Sequence, residues 1–511
     1  MNKRVIGKTF TGAVAVKGLS CLLVLAALVA CQGKTGDSST HAQTQTQTPT
    51  PTPTPPSASS FLVDCQGTTS NPFTQPPASV PSSFLPKDGS IQVPPIAGPL
   101  GYNSFIPGST GFPAVGETYI DPFGGVIRRL TDTVGHPNQE DIYAHHWANA
   151  NGTMAFTRQD TGTGGGTIFH IISTTTGVVL YPDQPLGSVP IDIAWDAIDP
   201  NRYYYYEGTN LTCRNLAEQR NVVKTFPLTL EPNGGSLNTQ DRSGRYFTVR
   251  YGGTNKVWDS QTDITYTGEV TPLSSGGWVA ITPDGNYLVT AAGLNNEHYS
   301  YAIDHINHSI SSTPVNFWTQ CGDHGVLVSA TNKRNYFITF DCDRIPGIYR
   351  VDITLNWPDD ITLDQAGKIK NETNQVAANQ ILLPLAFGTA TTASTNDGHL
   401  SAVSKGPNQD WVFFDSETSL DYDPFDSVPT NWQPYEQEII AMNVATLEVR
   451  RYAHHRSRGL ITSKYRGGYY AQPRISCSWD GSIILWTSNY NRQLLPEYDY
   501  ADLYGMAFSG N

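Results

Sequence analysis

The chain has 511 residues, of which 15% are charged and 11% aromatic, with 46 glycines and a formal net charge of −13. That balance suits many short strands joined by turns and argues against a helical fold. An acidic chain gains nothing from releasing phosphate counterions, so no nucleic-acid partner is expected.

In chain order, residues 1–30 read as an export signal. Lys3, Arg4, Lys8 and Lys17 surround or precede the apolar run "LSCLLVLAALVA", which is too short for a comfortable membrane span. The run ends in "LVAC", residues 28–31, which resembles the bacterial lipobox. That resemblance implies cleavage before Cys31 and acylation of its thiol, palmitate included. Gln32 follows, which in the same pattern favours the outer membrane. The expected location is the bacterial cell envelope, as an outer-membrane lipoprotein on the periplasmic side or the cell surface, anchored but not spanning.

Residues 31–60 carry the lipidated cysteine and a Thr/Pro-rich linker, "THAQTQTQTPTPTPTPPSASS", with nothing able to enter a core. Residues 61–111 stay rich in Pro, Ser and Gly and read as an extended segment along the domain surface. Once Cys21 leaves with the signal and Cys31 is lipidated, Cys65, Cys213, Cys321, Cys342 and Cys477 remain. A hairpin between Cys321 and Cys342 would bring them together, so they are the expected disulfide, and the odd count leaves at least one free thiol.

From residue 112 to 511 one kernel recurs: a short strand, a polar turn, then a strand rich in Tyr, Phe, Val and Thr. It appears as "HHWANANGTMAFTR", "DIAWDAIDPNRYYYYEG", "SLNTQDRSGRYFTVRYG", "WVAITPDGNYLVTAAG", "GVLVSATNKRNYFITFD", "LSAVSKGPNQDWVFFD" and "RISCSWDGSIILWTSN". A hairpin of this kind cannot bury both faces alone, whereas a radial array packs each on its neighbours. Third strands follow, as in "GIYRVDITL" (347–355) and "EIIAMNVAT" (438–446), the latter running into the fourth strand "LEVRRYAH". The fold class is therefore all-β, a seven-bladed β-propeller. The last kernel is followed by one strand only, "DLYGMAF" (502–508), so an N-terminal strand is needed to close the last blade. "VIRRLT" (126–131) resembles the outer strand of TolB-like blades and is the expected donor.

The turn of each kernel marks one face of the ring, so residues about seven positions earlier mark the other. Counting back places His145, His399 and Arg474 at one mouth of the channel, with His324 near the same level. The fourth strand brings His454 and His455 to that face, and the chain beyond it carries Arg456, Arg458, Arg466, Tyr469, Tyr470 and Gln472. Asp415 reads as the start of a long acidic insertion, 415–437, on the same face.

The kernel resembles TolB-like and WD40-like (PD40) repeats, and "YAHHRSR…YYAQPRISCSWDGSIILWTSN" resembles the end of the oligogalacturonate-lyase-type propellers. That family binds a divalent cation, commonly Mn²⁺, and cleaves acidic sugars by β-elimination. Carried over, Gln472 matches the family's glutamine before the last inner strand. The family's histidines on that strand are replaced here by Arg474-Ile475-Ser476-Cys477. The expected metal set is His324, His399, His454 and Gln472, holding Mn²⁺ or Ca²⁺. His145, His146, His455 and Arg474 are the catalytic candidates, because imidazole titrates near neutrality and guanidinium pairs with carboxylate. Tyr469, Tyr470, Arg456 and Arg458 are expected to bind substrate. Two functions follow: a propeller that binds and cleaves uronic-acid oligosaccharides, or a non-catalytic scaffold that binds a glycan or protein partner.

Overall fold

A computed structural model describes residues 85–86, 113–132, 146–160, 167–182, 184, 193–216, 220–232, 239–272, 277–291, 297–319, 325–341, 347–356, 380–384, 397–417, 435, 437–457, 472–489 and 501–510. None of these is helical. They form seven antiparallel sheets, one per kernel.

Four of the seven kernels close by the same device. A short polar side chain at the end of the inner strand accepts the backbone N–H five residues on, where the second strand starts. Asn149 accepts Met154, Asp241 accepts Tyr246, Thr282 accepts Tyr287 and Ser478 accepts Ile483, at 2.8–3.3 Å. Between them lies a left-handed residue, Gly152, Gly244, Gly285 or Gly481, with φ between 69° and 78°. The side chain replaces a ladder bond that the turn would otherwise leave unmade.

Blade 1 holds Met154–Asp160, Thr167–Ser173 and Val179–Tyr181, with an inner bridge from Ala148 to Ala155. Blade 2 holds Ala194–Trp195, Arg202–Glu207, Asn210–Asn215 and Arg220–Thr225. Blade 3 holds Tyr246–Tyr251, Thr254–Asp259 and Ile264–Thr265, with an inner bridge at Gln240. Blade 4 holds Trp278–Ile281, Tyr287–Ala291 and His298–Asp304, the last paired with both Ser309–Ile310 and Val315–Trp318. Blade 5 holds Val326–Ser329, Asn335–Asp341, Gly347–Asp352 and Gln380–Pro384. Blade 6 holds Asp397–Ala402, Trp411–Glu417, Glu438–Asn443 and Val449–His454. Blade 7 holds Ser476–Cys477, Ile483–Ser488 and Asp502–Ala507.

The N-terminal strand Val126–Arg129 completes blade 7, pairing Arg129 with Tyr504 and Ile127 with Met506. Arg129 fixes this closure through a buried ion pair with Asp502 at 2.8 Å. Thr118–Ile120 adds a fifth strand outside it. Leu85–Pro86, within the stretch expected to be extended, pairs with Arg451 and Arg450 on the outer edge of blade 6. The rest of residues 61–111 lies outside the described residues.

The core is divided between the blades. Apolar clusters lie between blades 2 and 3, 3 and 4, 4 and 5, 5 and 6, and 6 and 7. One larger cluster, with Trp147, Phe156, Trp195, Tyr203 and Trp479, joins blades 7, 1 and 2 and so closes the ring.

Bonds between blades three places apart in a ring of seven reach across the channel, and two occur here. Arg242 of blade 3 reaches Ser329 O of blade 5 (3.4 Å) and Gln409 of blade 6 (3.3 Å). Lys405 of blade 6 donates to Ala197 O of blade 2. All come from kernel turns or their flanks, so that face of the channel is bridged side to side. The opposite face is the one that receives the ends of the second and fourth strands.

Cys213 is disulfide-bonded. Cys477 is free and buried. Cys31, Cys321 and Cys342 lie outside the described residues.

Candidate functional site

At the open face, blades 6 and 7 meet around one carboxylate. Asp415 lies in the second strand of blade 6, paired with His399 of the inner strand. In the sequence it reads as the start of the long acidic insertion 415–437. It is instead fully buried. One oxygen accepts the backbone N–H of His399, and the other accepts that of Ile475 in blade 7 at 2.7 Å. His399 and Arg474 therefore stand on adjacent inner strands, at the same end of the channel. The His399 ring keeps 21% of its side-chain surface exposed, with Nδ1 3.8 Å from Asp415 Oδ1. Arg474 donates to Gln472 Oε1 at 3.4 Å.

The other histidines are held by packing. His146 is buried and stacks on Trp479 with ring centroids 4.3 Å apart. Its Nδ1–H donates to the Cys477 carbonyl (3.2 Å), and Nε2 accepts from the Ser404 hydroxyl (2.9 Å). Both nitrogens are committed, so this ring ties blade 1 to blades 6 and 7 and does not face the mouth as a base. His455 is likewise closed. Ser457 N–H donates to Nδ1, and Nε2–H donates to the Ser416 carbonyl, both at 3.0 Å. Burial, reinforced by His454, pushes its pKa down to about 3 against the opposing Ser416 bond. A neutral ring with no proton to exchange near neutrality is a structural group.

His454 points away from its neighbour, as alternate strand residues do. Its Nδ1 lies 3.3 Å from Asp121 Oδ1, and its ring packs on Phe123. Arg456 meets the other Asp121 oxygen at 3.5 Å. Burial alone would raise the Asp121 pKa, but His454 and Arg456 outweigh it and hold the carboxyl below its usual range. Beside this group Arg451 and Glu438 form an ion pair in which both side chains are fully buried. The guanidinium lies over the rings of Tyr435 and Phe123, at 4.9 and 5.3 Å. The N-terminal hairpin thus supplies the acid and an aromatic ring to a cationic cluster at the end of blade 6. Nothing in the sequence spacing connects Asp121 to residues more than three hundred positions later.

The expected metal set does not converge. His399, Asp415, Glu438 and His454 occupy four successive strands of blade 6, so His399 and His454 are about 14 Å apart at the usual strand spacing. One ion cannot take both. Among the described residues no group of three or more His, Cys, Asp or Glu side chains could hold a metal ion. His145, His324, Arg458, Tyr469 and Tyr470 lie outside the described residues.

Backbone conformation singles out the same region. Eight described non-glycine residues have positive φ. Asp263, His308, Lys333 and Leu447 sit in hairpin turns, where left-handed residues are ordinary. The other four are Tyr435 (69°), Gln437 (56°), Arg456 (57°) and Arg474 (46°), all buried and all at the open face of blades 6 and 7.

No protein-family model matches the chain, and no curated protein matches it. Among solved structures it is similar to an oligogalacturonate lyase in complex with manganese, at 14% identity over 77% of this chain and 96% of that one, with a TM-score of 0.46. It is similar to an oligogalacturonate lyase from Vibrio parahaemolyticus at 10% identity, over 77% and 97% of the two chains, with a TM-score of 0.48. Similarity to TolB from Acinetobacter baumannii covers 56% and 59% of the two chains at 14% identity, with a TM-score of 0.30. The seven sheets themselves define the propeller, and these distant likenesses add nothing about activity.

Proposed function

We propose that this chain is an exported, lipid-anchored propeller that binds acidic oligosaccharides at the mouth between blades 6 and 7. The observation that carries this reading is the gathering of four strained, buried non-glycine residues at that mouth, among them Arg474 on the inner strand next to that of the partly exposed His399. Strain of this kind costs about 1–3 kcal/mol per residue and persists where the surrounding structure over-determines it, most often at binding sites. A guanidinium matches a uronate carboxylate through two parallel hydrogen bonds, and a local cationic group can draw an anion to an acidic protein. Tyr469, Tyr470 and Arg458, on the chain leading into Gln472, would stack on and pair with the sugar.

Binding is favoured over cleavage because His146 and His455 have both ring nitrogens bonded. A lyase reading survives on one group, the partly exposed His399 beside Arg474. There the guanidinium would neutralise the uronate carboxylate and the imidazole would take the C5 proton. The C4–O bond would break as C4=C5 forms, and the leaving oxygen would take its proton from solvent water at the open mouth.

Titration of the full chain with oligogalacturonides and with neutral oligosaccharides of equal length tests both. Selective binding of the acidic series supports the site, and growth of the unsaturated product's ultraviolet absorbance adds catalysis. Equal or absent binding across a panel of uronans overturns it. Membrane anchoring is tested separately: Cys31→Ser should move the protein out of the membrane fraction, and its retention there would refute the lipid anchor.

A further inference from the structure

The mouth groups stand on two different blades, so something must hold one blade in register with the other. Hydrogen bonds within each sheet cannot do this, because they run between strands of one blade. Asp415 is placed to do it. Its two oxygens accept one backbone N–H from each inner strand, His399 in blade 6 and Ile475 in blade 7. A carboxylate held at both oxygens has one orientation, and it fixes the two strands it spans relative to each other.

Two further features fit this use. Arg474 adopts a left-handed backbone, φ 46°, immediately before the N–H that Asp415 receives. The adjoining Gly398 lets the strands of blade 6 close up at this point, since a Cβ there would lie 1.9 Å from the Asp415 carbonyl oxygen. The same carboxylate lies 3.8 Å from His399 Nδ1 and so also biases the ring.

We infer that Asp415 is the positioning residue of the anion site: buried and out of reach of ligand, it sets the spacing and orientation of His399 and Arg474. This rests on the reading of the mouth as an acidic-sugar site. The class of ligand it tunes the site for is one with a carboxylate next to a ring hydroxyl or ring C–H, which the cation and the imidazole would meet together.

The test is a double-mutant cycle on the full chain, with trigalacturonate as probe and calorimetry as readout. Asp415→Asn keeps the shape but turns one acceptor into a donor facing an N–H. We expect it to weaken binding about tenfold, the effect of losing one well-placed charge-assisted contact. Arg474→Ala should weaken binding at least as much, and the double variant clearly less than the product of the two losses, because Asp415 acts through Arg474 and His399 and only the His399 share remains once the arginine is gone. If the losses multiply, or if Asp415→Asn binds as the wild type does, the inference falls while the site stands. If the wild type itself does not bind trigalacturonate, the site reading falls and takes the inference with it. Should Asp415→Asn fail to unfold cooperatively, Asp415→Glu, which keeps charge and acceptors but lengthens the reach, is carried through the same cycle with the same criteria.

Discussion

The indole N–H of Trp479 in blade 7 donates to the main-chain carbonyl of Trp195 in blade 2, at 3.2 Å, past the whole of blade 1 in the ring order. Blade 2 donates in turn to blade 1, since the Trp195 indole N–H meets the Trp147 carbonyl at 3.1 Å. Three tryptophans thus lock the seam where the ring closes. Arg242 and Lys405 bridge the same face of the channel nearby. The predictions below concern the opposite face and the groups that support it.

His455 should make stability depend on pH. Its folded pKa is about 3 against an ordinary 6.5, so the unfolded chain takes up a proton that the folded chain refuses. The contribution is complete above pH 6.5 and is lost as pH falls from there toward 3. One such proton costs about 2 kcal/mol between pH 7 and pH 5. Urea unfolding at the two pH values should show wild type losing that much more than His455→Gln. Equal losses would mean that the ring is not held neutral.

Removing one partner of the Arg451–Glu438 pair should be far worse than removing both. Both side chains are fully buried, and burial raises the Glu438 pKa despite the arginine's pull. Arg451→Met would strand the carboxyl and should cost about 3–5 kcal/mol, while Arg451→Met with Glu438→Leu should recover most of it. Guanidinium denaturation of the three proteins measures this. A double variant as unstable as the single would show that the aromatic stacking of Arg451, not its charge, matters.

Gly398→Ala should be among the most damaging single-methyl changes in the chain. The added carbon would lie 1.9 Å from the Asp415 carbonyl oxygen and 2.6 Å from the Phe414 ring, and the backbone oxygen cannot swing aside. We expect a loss of about 3 kcal/mol. Gly208→Ala meets nothing within 4 Å and should cost only the strain of its left-handed backbone, about 1 kcal/mol. Comparing the two melting temperatures separates crowding from backbone strain.

The Cys477 thiol should be inert in the folded protein. It is buried, accepts the Ser401 hydroxyl at 3.3 Å, and burial pushes its pKa up to about 12. Iodoacetamide at pH 8 followed by mass spectrometry should leave it unmodified until denaturant is added. Labelling in the native state would mean that the seam between blades 6 and 7 opens.

The propeller was legible because its cause is local. A polar side chain capping a left-handed turn five residues before the next strand leaves a short, repeating trace in the sequence, as at Asp241 and Ser478. The need for a closing strand followed from counting, since the last kernel had one strand too few. The mouth was only half legible. Register along a strand said at which end His399 and Arg474 lie, but not that both nitrogens of His146 are bonded to blades 6 and 7. Asp415 looked like the first of a run of loop acids, because burial by a neighbouring blade leaves no mark on the residues beside it. Asp121, Glu438 and Arg451 were invisible for the same reason: their partners are set by packing between blades, over separations that no periodicity encodes.

The pairing of Val126–Arg129 with Asp502–Ala507 also says something about time. Arg129 and Asp502 are 373 positions apart. A chain made N-terminus first carries the closing strand from the outset but must keep it unpaired until Asp502–Ala507 has emerged. Six blades can be assembled by then, yet the seventh cannot. The entropy of joining so long a loop falls on a single late step, and folding should be slow for that reason. Throughout that interval Thr118–Arg129 is an unsatisfied strand edge, open to the wrong partner. The completed ring is protected by its closure, and the unfinished one is exposed by it.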